Sequence, residues 1–312
     1  MKIIFMGTPE FAVGALEALV KAGHQVALVV TQPDKPKGRG KEMQFTPVKE
    51  CALKYDIPVF QPVKIKAPEA VDKLREYEAD VFVVAAFGQI LSEDILNMPK
   101  YGCINIHASL LPKYRGSAPI QWAILNGEKV TGITIMQMAS GIDNGDILLQ
   151  STVEIDEKET GDSLHDKLAA EGAKLIVEAL PKIEKGELTP VKQNDEESSY
   201  VKMLQKSIGE IDWNKSAVEI ERMVRGLNSW PSAFTRYNGK TLKIWESEVS
   251  DRETENADAA PGTITAVEKA AIYIRTGEND LKITQLQLEG KKRLPVKEFL
   301  LGVKMKAGDI LG

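Results

Sequence analysis

KIIFMGTPEFAVGALEALVKAGHQVALVVT, residues Lys2–Thr31, decides the fold class. Lys2–Met6 is a short apolar run of the buried-strand type. Gly7-Thr8-Pro9 breaks it, and Glu10–Ala22 follows with Phe11, Leu16, Leu19 and Val20 at helical spacing. Gly23 stops that helix, and Gln25–Thr31 is the next strand. A strand, a helix and a second strand within thirty residues make a β-α-β unit, which requires parallel strands. Gly7 alone does not make a dinucleotide fingerprint, which needs three spaced glycines, and Pro9 removes a backbone donor. The turn therefore reads as a strand-to-helix connection, and a nicotinamide oxidoreductase is poorly supported.

Outward from this unit the rhythm continues. After a long polar loop, Pro47–Tyr55 and Ala67–Tyr77 read as helices, with a short strand Pro58–Phe60 between them. Asp80–Ala86, Cys103–His107, Gly132–Gln137 and Ile147–Val153 read as strands, and Gln121–Asn126 and Leu164–Gly186 as helices. The expectation is an α/β, Rossmann-like, mostly parallel sheet with helices on both faces, whose ligands bind beyond the C-terminal strand ends. The texture changes near Leu188–Lys206, where Gln193–Ser199 (QNDEESS) is acidic and without periodicity. Beyond it a capped helix, Ala217–Gly226 after Ser216, precedes short strands at Ala233–Tyr237, Leu242–Ser247, Gly262–Ala266, Ala271–Thr276 and Leu281–Leu288. These predict a small OB-like β-barrel. The expected domains are a catalytic domain over 1–188, a linker over 189–206 and a β-rich domain over 207–312.

Composition narrows the class. The 312 residues carry a formal charge of −5 and are 43% hydrophobic, which argues against disorder. No run of eighteen apolar residues occurs, and the N-terminus has no signal-peptide cleavage pattern, so neither a membrane span nor secretion is expected. Two cysteines, Cys51 and Cys103, supply no disulfide framework and no metal spacing. A reducing, cytoplasmic setting follows as an expectation. From Ser207 onward 16 basic residues balance 16 acidic ones, so the first part of the chain carries the negative charge.

Chemistry concentrates in Cys103–Ala118, CINIHASLLPKYRGSA. Asn105 and His107 are two apart on a strand and point the same way, opposite to Ile104 and Ile106. An imidazole works as acid or base near neutral pH, and a carboxamide can donate to a developing oxyanion. Taken alone, the pair fits equally a satisfied core histidine and a turn asparagine. Ser109, Leu110, Leu111 and Pro112 form an apolar lip suited to a flat ligand, and Lys113 and Arg115 place cations at its rim. In Gly141–Asp146, GIDNGD, Asp143 is the carboxylate best placed to face His107, with turn capping as its other role and Asp146 as its rival. Lys35, Lys37, Arg39 and Lys41 alternate through a glycine-containing loop. From Thr31 to Lys49 five basic residues face Asp34 and Glu42. This suits phosphate contacts as well as it suits a solvated loop. Lys291-Lys292-Arg293 leaves the same two readings open.

Taken together, INIHASLLPKYRG, SAPIQWAI, GITIMQM and GIDNGD resemble the folate-dependent formyltransferases. The opening FMGTPEFA, the loop TQPDKPKGRGKEM, and IDW with NSWPSAF in the C-terminal part extend the resemblance along essentially the whole chain, toward members that act on charged initiator tRNA. The resemblance implies that Asn105, His107 and Asp143 are the catalytic trio. It implies that Ser109–Pro112 lie against the folate and that the turn Phe87, Gly88, Gln89, Ile90 and Leu91 holds the pterin through backbone groups. The one visible difference is Ala108, where relatives often carry glycine. The implied reaction moves the formyl group of 10-formyltetrahydrofolate to the α-amine of initiator methionyl-tRNA. The implied enzyme is a monomer without metal or membrane, and Lys35, Lys37, Arg39 and Lys41 contact the tRNA. Formylation of a sugar-nucleotide amine is the alternative. A non-catalytic RNA-binding protein on the same scaffold would not need the trio.

Overall fold

The opening stretch folds as β1 (Lys2–Gly7), a 3-10 turn at Glu10–Ala12, α1 (Val13–Lys21) and β2 (Gln25–Val30). Phe11, Leu16 and Leu19 are buried as their spacing requires, while Val20 is only partly covered. Gly7 is required by packing: a Cβ there would come within 2.8 Å of Ala12 Cβ and 3.0 Å of the Ala85 carbonyl. In this computed structural model the described residues are 1–37, 42–252 and 258–312.

The polar stretch after β2 departs from the expected loop. It carries β3 (Lys35–Lys37) and β4 (Glu42–Gln44), paired antiparallel with Lys35 opposite Gln44 and Pro36 opposite Met43. Three-residue strands reading KPK and EMQ are too short and too polar for any periodicity to announce them. The first unit continues with α2 (Pro47–Lys54), β5 (Val59–Phe60), α3 (Pro68–Arg75), β6 (Val81–Ala85), α4 (Glu93–Leu96), β7 (Cys103–His107) and β8 (Arg115–Gly116). Proline opens both α2 and α3, where its fixed φ suits a first turn. Along the chain then come α5 (Pro119–Leu125), which from Ile120 on belongs to the second unit, and β9 (Val130–Gln137), β10 (Ile147–Glu154), α6 (Gly161–Lys185) and β11 (Tyr200–Val201).

By spatial proximity the chain separates into two units. The first comprises Met1–Pro119, Val130–Glu154 and His165–Val201; the second comprises Ile120–Lys129, Ile155–Leu164 and Lys202–Gly312. The central sheet of the first has the order β10-β9-β7-β6-β1-β2-β5. Pairs from β5 to β7 are parallel, whereas β9 and β10 run antiparallel at one edge. One face, with Ile4, Met6 and Val84, packs against Val71 and Leu74 of α3. The opposite face meets α6, where Gly172 sits against Ile106 and Ile133. The chain runs outward from β1 through β2 and β5, then returns to place β6 on the other side of β1. That reversal leaves a crevice at the C-terminal ends of β1 and β6, the position where open α/β sheets bind ligands.

The second unit is small and β-rich. The strands β12 (Ala233–Tyr237), β13 (Lys240–Val249), β14 (Ile264–Val267), β15 (Ile272–Arg275) and β16 (Asp280–Leu288) form an antiparallel sheet of order β12-β13-β16-β15-β14, with β17 (Leu294–Pro295) paired to β16. Asn238 and Gly239, at φ 50° and 75°, make the tight turn between β12 and β13. Helix α7 (Ala217–Gly226) begins with a reciprocal Ser216–Glu219 capping box and buries Ile220 and Val224 in the core of this unit. Helix α8 (Val296–Gly302) adds Val296 and Phe299 to the same core.

Candidate active site

Strand β7 lies inside the sheet, which is why five successive residues, Cys103–His107, are all buried. Cys103, Asn105 and His107 share one face, and Asn105 lies beside Val84 and Met136 in register. Asn105 is 9% exposed, and its carboxamide makes no hydrogen bond to another of the described residues. His107 is 6% exposed, and its Nε2 is 3.0 Å from the Tyr114 carbonyl. On the other side of the ring, Nδ1 is 3.7 Å from Asp143 Oδ2. The structure thus brings Asp143, rather than Asp146, to the imidazole.

Asp143 occupies a left-handed position, φ 48°, in the turn between β9 and β10. Its Oδ2 also accepts the Gly116 N–H at 2.8 Å. One carboxylate oxygen therefore faces both the imidazole and a backbone donor, which fixes its direction. Gly145 makes the turn possible: a Cβ there would lie 1.7 Å from the Gln137 carbonyl.

The lip beside this pair is built by hydrogen bonds as much as by leucine packing. Ser109 is fully buried, and its hydroxyl donates to the Lys113 carbonyl at 2.7 Å. Thr134 of β9 donates to the Ser109 carbonyl at 2.6 Å and accepts the Leu111 N–H at 3.1 Å. Gln150 of β10 donates to Thr134 Oγ1 and to the Leu111 carbonyl. Leu111 is buried at 3%, whereas Leu110 and Pro112 remain partly accessible.

At the crevice, the turn after β6 turns back on itself through Ala86 and Gly88, at φ 47° and 83°. Phe87 and Leu91 are buried beneath it, while Gly88 and Ile90 are exposed. The Phe87 carbonyl is held by Thr8 Oγ1 and Gln32 Nε2, and Gln89 ties the turn to Ile65 and Pro62. Among the described residues nothing bonds to the N–H groups of Gly88, Gln89 or Ile90. An array of free backbone donors on an anchored turn suits a heterocycle rich in acceptors.

Arg115 corrects the sequence reading. Expected at the rim, it is the largest of the fully buried side chains, 1% exposed. Its Nε donates to Gln193 Oε1 at 2.9 Å and its Nη1 to the Tyr200 hydroxyl at 3.0 Å, while Nη2 is 2.8 Å from Asp195 Oδ1. Burial acts to lower the guanidinium pKa, but the Tyr200 and Asp195 partners outweigh it and hold it above its ordinary value. The partners come from Gln193–Val201, whose polar side chains bond to backbone and leave no hydrophobic period to detect. Only the density of hydrogen-bonding side chains in QNDEESS hints at this work.

Of the basic loop, Lys35 is exposed at the start of β3 and Lys37 ends that strand. Arg39 and Lys41 lie outside the described residues. In the second unit Lys291, Lys292 and Arg293 are exposed; the Arg293 guanidinium stacks 4.8 Å over the Trp245 ring and reaches Glu246. Among the described residues there is no cluster of three or more His, Cys, Asp or Glu that could hold a metal, and no helix long and apolar enough to cross a membrane.

Two family models match the chain: "Formyl transferase" over residues 1–180 and "Formyl transferase, C-terminal domain" over residues 203–304. A methionyl-tRNA formyltransferase of Agathobacter rectalis is 56% identical over 308 residues, covering 99% of this chain and 98% of that protein. Among solved structures, an N-formyltransferase from Helicobacter canadensis, in complex with folinic acid and dTDP-3-aminofucose, matches with a TM-score of 0.67 at 21% identity, over 94% of this chain and all of that one. HypX from Aquifex aeolicus, in complex with tetrahydrofolic acid, matches with a TM-score of 0.64 at 18% identity. This match covers 96% of the chain but only 47% of HypX, so the chain spans about half the length of that protein. At these identities the two structures share the fold.

Proposed function

This chain belongs to the formyltransferase family through both of its domains, and we infer from that membership and from the site that it formylates the α-amine of methionyl initiator tRNA, with 10-formyltetrahydrofolate as donor. A methionyl-tRNA formyltransferase 56% identical over 99% of the chain carries the choice of acceptor. The sugar-acting neighbour shares the fold at 21% identity and does not carry that choice.

The folate supplies the formyl group when bound; the chain supplies position and charge. Asn105, whose carboxamide has no hydrogen-bond partner among the described residues, offers it to the formyl oxygen, where negative charge develops as the amine attacks. His107 in its protonated form stabilises the same charge. Asp143, its Oδ2 held by Gly116, orients the imidazole and assists movement of a proton from the attacking amine to the departing folate nitrogen. The 3.7 Å separation is longer than a hydrogen bond, as is common before a substrate draws such groups together. Ser109, Leu110, Leu111 and Pro112 line one side of the donor, and Phe87, Gly88, Ile90 and Leu91 hold its pterin. The amine is a good nucleophile and the formyl donor is already activated, so the reaction needs no metal. Residues 1–188 carry the reacting groups, 189–206 lead on from them and support them through Gln193–Val201, and 207–312 help to hold tRNA. Lys35, Lys37, Arg39 and Lys41 contact its phosphates. The enzyme works as a cytoplasmic monomer.

The test offers charged initiator tRNA and a dTDP-amino sugar as acceptors for 10-formyltetrahydrofolate at two salt concentrations. Formylation of the tRNA, weakening as salt rises and more weakly salt-dependent after alanine replacement of Lys35, Lys37, Arg39 and Lys41, is the expected result. Formylation of the sugar amine alone would replace the acceptor and leave the chemistry standing.

A further inference from the structure

We propose that the segment Gln193–Val201 is a strap that positions the catalytic pair, with Gln193 and Ser199 as its two working side chains; this rests on the reading of His107 and Asp143 given above. The geometry places one end of the strap on the Asp143 turn and the other on Tyr114, whose carbonyl meets His107. At the Asp143 end, Gln193 Nε2 donates to the carbonyls of Asp143 and Gly145, at 2.8 and 2.7 Å. A single amide group thus ties together both sides of a turn whose central residue sits at φ 48°. At the His107 end, Ser199 Oγ accepts the Tyr114 N–H at 2.8 Å, and the Ser199 carbonyl accepts the Arg115 N–H at 2.8 Å. Tyr114, itself at φ 61°, supplies the carbonyl that meets His107 Nε2.

Between these ends lies the buried guanidinium of Arg115. It fixes Gln193 by accepting no other orientation of the amide: Oε1 must face Nε, so Nε2 must face the Asp143 turn. Gly116, the next residue, donates to Asp143 Oδ2 and pairs with Val201 in the parallel β8–β11 ladder. The carboxylate, the imidazole's carbonyl partner and the backbone donor are therefore all referred to one short strap. A group that must be held within a fraction of an ångström for catalysis is expected to have such support. Gln193 touches no reacting atom; it acts through Asp143.

The test compares Gln193→Ala, Gln193→Glu, Ser199→Ala and Asp143→Asn with the wild-type chain, using charged initiator tRNA and 10-formyltetrahydrofolate. Circular dichroism checks that each variant folds. Gln193→Glu keeps an acceptor for Arg115 but turns a carboxylate oxygen toward two carbonyls, so it separates a directed bond from mere filling of space. The expected result is a fall in kcat of about tenfold or more in Gln193→Ala and Ser199→Ala, and a larger fall in Gln193→Glu, with both KM values within about twofold. Faster hydrogen exchange of the Gly116 amide accompanies it. Values of kcat within about twofold of wild type in the Gln193 variants, with Asp143→Asn impaired, overturn the strap and leave the catalytic reading intact. A loss confined to the KM for tRNA overturns it also, because the segment then touches the acceptor instead. An unimpaired Asp143→Asn overturns the catalytic reading and the strap with it.

Discussion

Replacing Thr134 by valine removes one hydroxyl and disconnects the lip from the sheet. Thr134 is fully buried, opposite His107 in the β7–β9 ladder. Its hydroxyl donates to the Ser109 carbonyl and accepts the Leu111 N–H, both buried contacts. Gln150 loses the same partner but keeps the Leu111 carbonyl. The change therefore leaves two buried backbone groups unpaired, at about 1–3 kcal/mol each. The added methyl offsets part of this, so the expected loss is about 2–4 kcal/mol in the first unit. Thr134→Ser keeps the hydroxyl and should lose only about 1 kcal/mol. Tryptophan fluorescence cannot report this directly, since Trp122, Trp213, Trp230 and Trp245 all belong to the second unit. Native-state hydrogen exchange at β7 and β9 amides in rising urea reads the first unit alone. Equal stabilities of Thr134→Val and Thr134→Ser, within about 0.5 kcal/mol, would refute the claim that this hydroxyl anchors the lip.

Three further outcomes are expected. Gly145→Ala places a methyl 1.7 Å from the Gln137 carbonyl, so the turn must shift; steady-state kinetics should show kcat lowered by about a hundredfold, and near-wild-type kcat would contradict the fixed placement of Asp143. Burial pushes the Cys51 thiol up to about 11 and the Cys103 thiol up to about 12, so both stay protonated and a thiol reagent at pH 8 should modify the native chain far more slowly than the unfolded chain. Burial acts to raise the Asp34 carboxyl, but the bonds from Lys49 and Gln61 prevail and hold it below its ordinary value. Its contribution to stability is therefore complete above the unfolded-state value near 3.9 and is lost as pH falls through the lower, folded value, so Asp34→Asn should flatten the acid limb of unfolding.

The sheet was legible because apolar runs at strand spacing and amphipathic helices at helical spacing alternate from Lys2 onward. The edge at β9 and β10 reverses direction, which no periodicity encodes. The β3–β4 hairpin is too short and too polar to show. Asn105 and His107 were readable as a pair because two residues along a strand share a face. Asp143 was readable because its tight turn returns the chain toward the strand end. The support around them was not. Arg115 looked like a rim cation, since charge in a sequence says nothing of burial. Its partners lie in a stretch whose polar, aperiodic texture is that of a connector. Hydrogen bonds from side chain to backbone, such as Gln193 to the Asp143 turn, leave no repeating signature.

The most direct measurement is single-turnover formyl transfer from 10-formyltetrahydrofolate to charged initiator tRNA, with both substrates saturating, for wild type, Asn105→Ala and His107→Ala. Each substitution should slow the transfer step by about a hundredfold or more while folate binding, followed separately, stays within a few-fold of wild type. Transfer rates close to wild type in either variant would contradict the assignment of charge stabilisation at the formyl oxygen to that residue.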